Sequence, residues 1–154
     1  MHTKSKLSVV DKTLVDIAKM KVYVGIPQEK ASRKSGEITN AELMYIHTNG
    51  SPLRHIPKRP VIEPAIEAEE NKKDIADDLG KAARNVMDGD KPGAIRRLEL
   101  AGMNGQNAAR AWFEDPRNNW PPDRPATAAR KGSDRPLIDT GQLRKSIIYV
   151  VRDK

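Results

Sequence analysis

From Val61 to Phe113 the chain is written almost entirely in helical period, with one interruption, Asp88-Gly89-Asp90-Lys91-Pro92-Gly93. Two helices joined by so short a breaker must fold back on each other, and anything else the chain builds has to pack on that pair. In the first run Ile62, Ile66, Ile75, Leu79, Ala82, Ala83 and Val86 carry the apolar side. Glu67, Glu69, Glu70, Lys72, Lys73, Asp74, Asp77 and Asp78 crowd the remainder as a solvated face. Pro64 falls in the first turn, where proline is tolerated. The second run, from about Ala94, carries Ile95, Leu98, Leu100, Ala101, Ala108, Ala109, Ala111 and Trp112. Gly102 and Gly105 weaken its middle by about 1 kcal/mol each relative to alanine. The pattern predicts a helical hairpin over about 61–87 and 94–114.

The flanks add a little sheet. Leu7, Val10, Leu14, Ile17 and Ala18 recur at intervals of three and four and predict a short amphipathic helix. Lys21 to Ile26 then alternates, with Val22, Val24 and Ile26 on one face, until Pro27 ends the strand. Gln28 to Gly36 has no period and is expected as an exposed loop. Thr39 with Glu42 three residues later has capping-box spacing and opens a helix of about two turns, which Asn49-Gly50-Ser51-Pro52 terminates. Ile56-Pro57-Lys58-Arg59-Pro60 must be extended. Asp115 to Asp134 is polar and proline-rich, and is expected as a long loop over 115–136, longer than an ordinary connection. Pro136 halts anything helical. Leu137 and Ile138 then form an apolar foot, Asp139 and Gln142 have the spacing to cap a turn that Leu143 packs beneath, and Ile147 to Val151 reads as a second strand. The expectation is an α+β fold in one domain, residues 1–154, with a small sheet (strands near 21–26 and 147–152) against the hairpin.

Composition narrows the function classes. Only 37% of the 154 residues are hydrophobic and 4% aromatic, with a single Phe. That is a thin inventory for a self-sufficient monomer and points to self-association or ordering on assembly. The absence of cysteine excludes disulfides and thiolate metal sites. Neither a signal-peptide core nor a run of roughly 18 to 20 apolar residues is present, so no membrane is expected. The net charge of +7 admits a polyanion as neighbour, although lysines and arginines interspersed among 21 acids also describe an ordinary solvated surface.

Catalytic constellations are not found. His2, His47 and His55 lack metal-ligand spacing, and no carboxylate stands isolated in apolar sequence as a general acid would. Gly102-Met103-Asn104-Gly105 and Lys131-Gly132-Ser133 lack the strand-to-helix context of a phosphate loop. No catalytic, cofactor-binding or metal residue is assigned, and no cofactor is expected. Trp120 beside Pro121 and Pro122 does stand out. An indole between prolines in a polar loop either pins that loop to its own domain or anchors on a neighbouring subunit, where Trp and Arg are common hot spots. Arg117, Trp120, Pro121 and Arg124 are the interface candidates. Pro57, Arg59, Pro60, Leu137, Asp139, Gln142 and Leu143 form the structural motifs.

Three blocks in order carry a likeness over most of residues 20–152. They are Val22-Tyr23-Val24-Gly25-Ile26-Pro27 with Asn40 to Gly50, Ile56-Pro57-Lys58-Arg59-Pro60-Val61-Ile62-Glu63-Pro64-Ala65, and Asn119-Trp120-Pro121-Pro122 with Lys131 to Ile147. With them the chain resembles the neck or tail-completion proteins of long-tailed bacteriophages, of the lambda tail-completion type. Val61-Ile62 replaces an aromatic-led pair, and Asp123 stands where an apolar residue often follows the tryptophan-proline pair. The resemblance implies a non-enzymatic virion protein, assembled in the host bacterial cytoplasm, that forms a ring, commonly a hexamer, between the head connector or stopper and the tail terminator or tube. DNA would pass through the lumen without specific binding. A tail terminator ring and a basic DNA-binding protein are the alternatives.

Overall fold

The computed structural model describes residues 2–27 and 38–153, and the stretch expected as an exposed loop at Gln28 to Gly36 lies outside them. The fold is mixed helix and sheet, dominated by helix, with two long helices packed together and one two-stranded antiparallel sheet. The described residues form two compact units, each assembled from discontinuous stretches of chain.

Unit 1 comprises residues 1–24, 69–105 and 149–154. It contains α1 (His2–Ala18), α4 (Glu69–Met87) and most of α5 (Lys91–Ala111). Strand β1 (Met20–Gly25) pairs with β2 (Ile148–Asp153), and Arg152 lies over the Tyr23 ring at 5.1 Å across the pair. Between α4 and α5 the buried side chains are small: Ala82, Val86, Ala94, Leu98 and Ala101. A polar clamp runs through the same interface. Asp78, expected on the solvated face, is buried and pairs with Arg97 at 3.2 Å and with the Asn104 amide at 2.9 Å. A buried carboxylate is tolerable because both of its oxygens find donors. Gly102 has a specific purpose. A Cβ there would lie 2.5 Å from Cδ2 and 2.9 Å from Cγ of Tyr149, so the glycine lets β2 seat its aromatic ring directly on α5.

The second hairpin helix starts at Lys91, three residues before its expected start at Ala94. Asp90 causes this, since its Oδ1 accepts the Gly93 amide at 2.9 Å while its backbone carbonyl accepts the Ala94 amide at 3.0 Å. Pro92 therefore falls in the first helical turn, where its missing N–H costs nothing. The first hairpin helix is also corrected: it is two helices, α3 (Ile62–Glu67) and α4, separated at Ala68, whose ψ is 131°. Neither Ala68 nor its neighbours is a helix breaker; the break falls where the chain passes from one compact unit to the other.

Unit 2 comprises residues 25–68 and 106–148. Its helices among the described residues are α2 (Asn40–Asn49), α3, the end of α5, α6 (Pro125–Lys131) and α7 (Gln142–Ser146). The Thr39–Glu42 capping box forms as expected: Thr39 Oγ1 accepts the Glu42 amide at 3.2 Å and Glu42 Oε2 accepts the Thr39 amide at 2.8 Å. The Thr39 amide and then the Thr39 hydroxyl, which donates to the same oxygen at 2.9 Å, hold the Glu42 carboxyl below its ordinary value. The core of this unit is substantial, with Met44, Val61, Trp112, Phe113, Leu143 and Ile147 all buried. Among the described residues no helix is long and apolar enough to cross a membrane.

The segment 115–136, expected as one long loop, contains a 3-10 turn at Pro116–Asn118 and helix α6. The signals for α6 are present in the sequence. Pro125 is at the first helical position, alanines follow, and Gly132 at φ 68° closes the helix with its amide bonded back to Ala128 and Ala129.

Candidate functional site

Arg59 is the organising residue of unit 2. It lies between Pro57 and Pro60, and its amide donates to the His47 carbonyl at 2.6 Å, fixing this irregular segment beside the end of α2. Its buried guanidinium reaches a segment about sixty residues away. Nε and Nη2 donate to the Pro121 carbonyl at 3.1 and 2.7 Å, and Nη2 also donates to the Pro122 carbonyl at 3.0 Å. Consecutive prolines offer carbonyls with no competing N–H groups, which suits a planar, multiply donating cation. Nη2 also lies 3.2 Å from Asp123 Oδ1. The other oxygen of Asp123 accepts from Lys131 Nζ at 2.5 Å, and that ammonium also donates to the Arg135 carbonyl at 2.6 Å. Side-chain exposure in this triad is 7% for Arg59 and 5% for both Asp123 and Lys131. Two buried cations share one carboxylate, leaving the triad with one positive charge in excess.

Beside the triad is a cleft of about 920 Å³. Leu43, Ile56, Pro57, Leu137 and Leu143 give it an apolar lining. Arg54, Arg59, Arg124, Arg130 and Lys131 line it as well, against only Asp123 and Asp139. Arg130 pairs loosely with Asp139 at 3.4 Å, whereas Arg54 and Arg124 have no carboxylate partner among the described residues. Chemically the arrangement can bind an anionic group next to apolar surface. Among the described residues, no group of three or more His, Asp or Glu side chains could hold a metal ion.

The interface candidates take up distinct places. Trp120 donates Nε1–H to the Pro60 carbonyl at 3.1 Å and meets Phe113 edge to face at a centroid distance of 5.8 Å, so the indole pins the segment to its own unit. Pro121 contributes the carbonyl that Arg59 holds. Arg117 forms a two-point pair with Asp115, through Nε at 3.0 Å and Nη2 at 2.6 Å, and lies over the Trp112 ring at 5.5 Å. The pairing keeps the Asp115 carboxyl below its ordinary value, the Arg117 side chain being the largest cause. Arg124 precedes α6, where its carbonyl accepts the Thr127 and Ala128 amides, and it lines the cleft.

Among the motif residues, Pro57 and Leu137 line the cleft, Pro60 receives the indole, and Leu143 is buried. Leu137 has left-handed backbone at φ 61°, turning the chain towards α7. The expected Asp139–Gln142 cap is not formed. Helix α7 begins at Gln142, so its N-cap is Gly141, with φ 76° and no capping side chain. Asp139 stands two residues too early to reach the first turn, and its carboxylate faces Arg130 instead. Sequence reasoning missed Asp123 and Lys131 as functional partners. It also missed Glu114, which takes Arg144 at 3.1 Å on one oxygen and Arg135 on the other. The only sequence signal for Asp123 is its polar character at a position where an apolar residue would be unexceptional.

Comparison with known protein families, curated proteins and solved structures finds no match to the chain.

Proposed function

We propose that this chain is a structural protein of a tailed-bacteriophage virion, forming a ring in the neck that joins the head connector to the tail tube. One observation supports this reading above the others. Residues from all three sequence blocks that carry the resemblance meet at one place: the His47 carbonyl takes the Arg59 amide, and the Arg59 guanidinium holds the Pro121 and Pro122 carbonyls. Blocks that are separate in sequence thus act as one element, as expected if they belong to one inherited architecture and not to chance local matches. The role is scaffolding, without chemistry on a substrate. Its partners are further copies of the chain, the head connector or stopper on one side and the tail terminator or tube on the other.

The excess of cations at the cleft favours a second reading, a basic DNA-binding protein. Salt separates the two. A protein held on duplex through several phosphate contacts loses affinity by orders of magnitude between about 50 and 200 mM salt. For a neck ring, purified chain titrated with duplex should show no tight binding at physiological salt, and electron microscopy of the free chain should show annular particles with an open centre. Tight, steeply salt-dependent duplex binding by a chain that forms no rings would reverse the order of the two readings.

A further inference from the structure

The cleft of unit 2 carries more hydrogen-bonding capacity than the fold itself uses. Every residue that lines it belongs to that unit. Two of them, Arg59 and Lys131, have side chains more than nine-tenths buried. Arg59 donates through Nε and Nη2, and among the described residues its Nη1 finds no acceptor. Lys131 Nζ places two of its three N–H groups, one on Asp123 and one on the Arg135 carbonyl. Buried donors without acceptors are costly, and a buried excess of positive charge more so. Three exposed cations in the lining, Arg54, Arg124 and Arg130, add to that excess, against the carboxylates of Asp123 and Asp139 alone. The spare donors and the unbalanced charge together call for an anion.

The rest of the lining narrows what carries that anion. Leu43, Ile56, Pro57 and Leu137 are half-buried and so leave aliphatic surface open to a ligand. A free phosphate would meet the cations and leave this surface wet. No Phe, Tyr or Trp lines the cleft, so a nucleotide has no such ring on which to stack its base. A duplex carries its phosphates on a convex rod, whereas this site is concave and, at about 920 Å³, of the size that encloses a small ligand or a few residues of peptide. A carboxylate beside aliphatic side chains uses both parts of the lining. Its two oxygens match the planar fork of a guanidinium, and its apolar neighbours are removed from water against the aliphatic wall.

We propose that the cleft docks an acidic segment of a partner protein, in which an Asp or Glu is flanked by Leu, Ile or Val. The carboxylate takes the donors that Arg59 and Lys131 leave over, Arg54 and Arg124 add charge from the exposed part of the lining, and the flanking side chains lie against Leu43, Ile56, Pro57 and Leu137. Capture of acidic motifs by clustered arginines is a recurrent mode of peptide recognition. The inference concerns unit 2 alone and stands apart from the ring reading.

The test titrates the full chain into short fluorescein-labelled peptides that place Asp or Glu between Leu, Ile or Val, and follows anisotropy. Matched peptides carry Asn or Gln in place of the acid, or Ala in place of the aliphatic residues. Each change should weaken binding about tenfold or more. Arg54→Ala combined with Arg124→Ala removes two exposed side chains that have no carboxylate partner among the described residues, so circular dichroism should be unchanged while peptide affinity falls about tenfold or more. Lys81→Ala combined with Arg84→Ala removes the same charge from exposed positions on α4 in unit 1 and should leave affinity as it was. Inorganic phosphate and a short DNA duplex serve as competitors and should displace the peptide poorly. Failure of every acidic aliphatic peptide to bind, equal binding of the acid and amide peptides, or equal losses in the two double variants would overturn the inference. So would a duplex or free phosphate that displaces the peptide readily and depends on Arg54 and Arg124, which would assign the cleft to phosphate. Annular particles formed by a chain that binds no such peptide would overturn the inference and leave the ring reading standing.

Discussion

Replacing Asp123 by asparagine keeps the side chain's shape and one acceptor oxygen, and removes the only negative charge between Arg59 and Lys131. Both cations are at least nine-tenths buried. Removing one member of a buried ion pair costs about 3–5 kcal/mol, because the charge left behind has lost its solvent and gained no partner. Here two cations are stranded instead of one, although the carbonyls of Pro121, Pro122 and Arg135 still receive their donors, so the loss should fall within that range. Against a total stability of about 5–15 kcal/mol, it is a large fraction. At about 2–4 °C per kcal/mol for a chain of this size, the melting temperature should drop by roughly 10 °C. Urea denaturation followed by tryptophan fluorescence is a suitable assay, since Trp112 and Trp120 are in the same unit. Lys131→Met is the control. It leaves a one-to-one Arg59–Asp123 pair with no excess charge, and should cost less than half as much. A loss below about 1 kcal/mol for Asp123→Asn, or a larger loss for Lys131→Met than for Asp123→Asn, would refute the view that one carboxylate balances this cluster.

Gly102→Ala should destabilise the chain by about 1–2 kcal/mol in the same urea assay although alanine is the better helix former, because the added methyl meets the base of the Tyr149 ring; a stabilised variant would contradict the packing. Trp120→Phe keeps the ring contact with Phe113 but loses the bond to the Pro60 carbonyl, and should cost about 1–2 kcal/mol, read from the shift of the urea midpoint. Thr39→Ala should cost about 1 kcal/mol through loss of the capping box, with amide exchange accelerated in the first turn of α2. Hydrogen bonds depress the carboxyls of Asp16, Glu42, Asp90 and Asp115 in the folded chain, through Lys91, the Thr39 backbone, the Gly93 backbone and the Arg117 side chain respectively. A depressed acid adds stability above its unfolded value that is lost as pH falls through its folded one, so denaturation midpoints should hold steady from neutral pH to about pH 5 and decline below about pH 4. A midpoint that rises on acidification through that window would contradict the sign.

Local grammar was legible in the sequence. Thr39 and Glu42 specify their own capping box, Val22 and Val24 specify a strand by alternation, and Asp88 to Pro92 mark the hairpin turn, because each of these depends on neighbours within a few residues. The same grammar misled at Asp139 and Gln142, where the spacing of a capping box occurs without a helix start in register. It also ended short of α6, whose proline, alanines and closing glycine were hidden in a segment dominated by polar residues. The break at Ala68 has no local cause. The site was legible only as separate blocks: nothing near Asp123 announces Arg59 or Lys131 as partners, because the Arg59 contact is made by tertiary folding between segments some sixty residues apart. The apolar stripe of α1 was legible from its spacing, but not its division: Val10 and Ile17 are half-buried, whereas Leu7 and Leu14 are exposed.

The most direct test of a head-to-tail joining role is to interrupt this reading frame in the genome that carries it and count the particles released. The account predicts DNA-filled heads and complete free tails that do not join, with joining restored when purified chain is added to the lysate. Intact infectious particles in the absence of the chain, or a failure to make heads or tails at all, would contradict it.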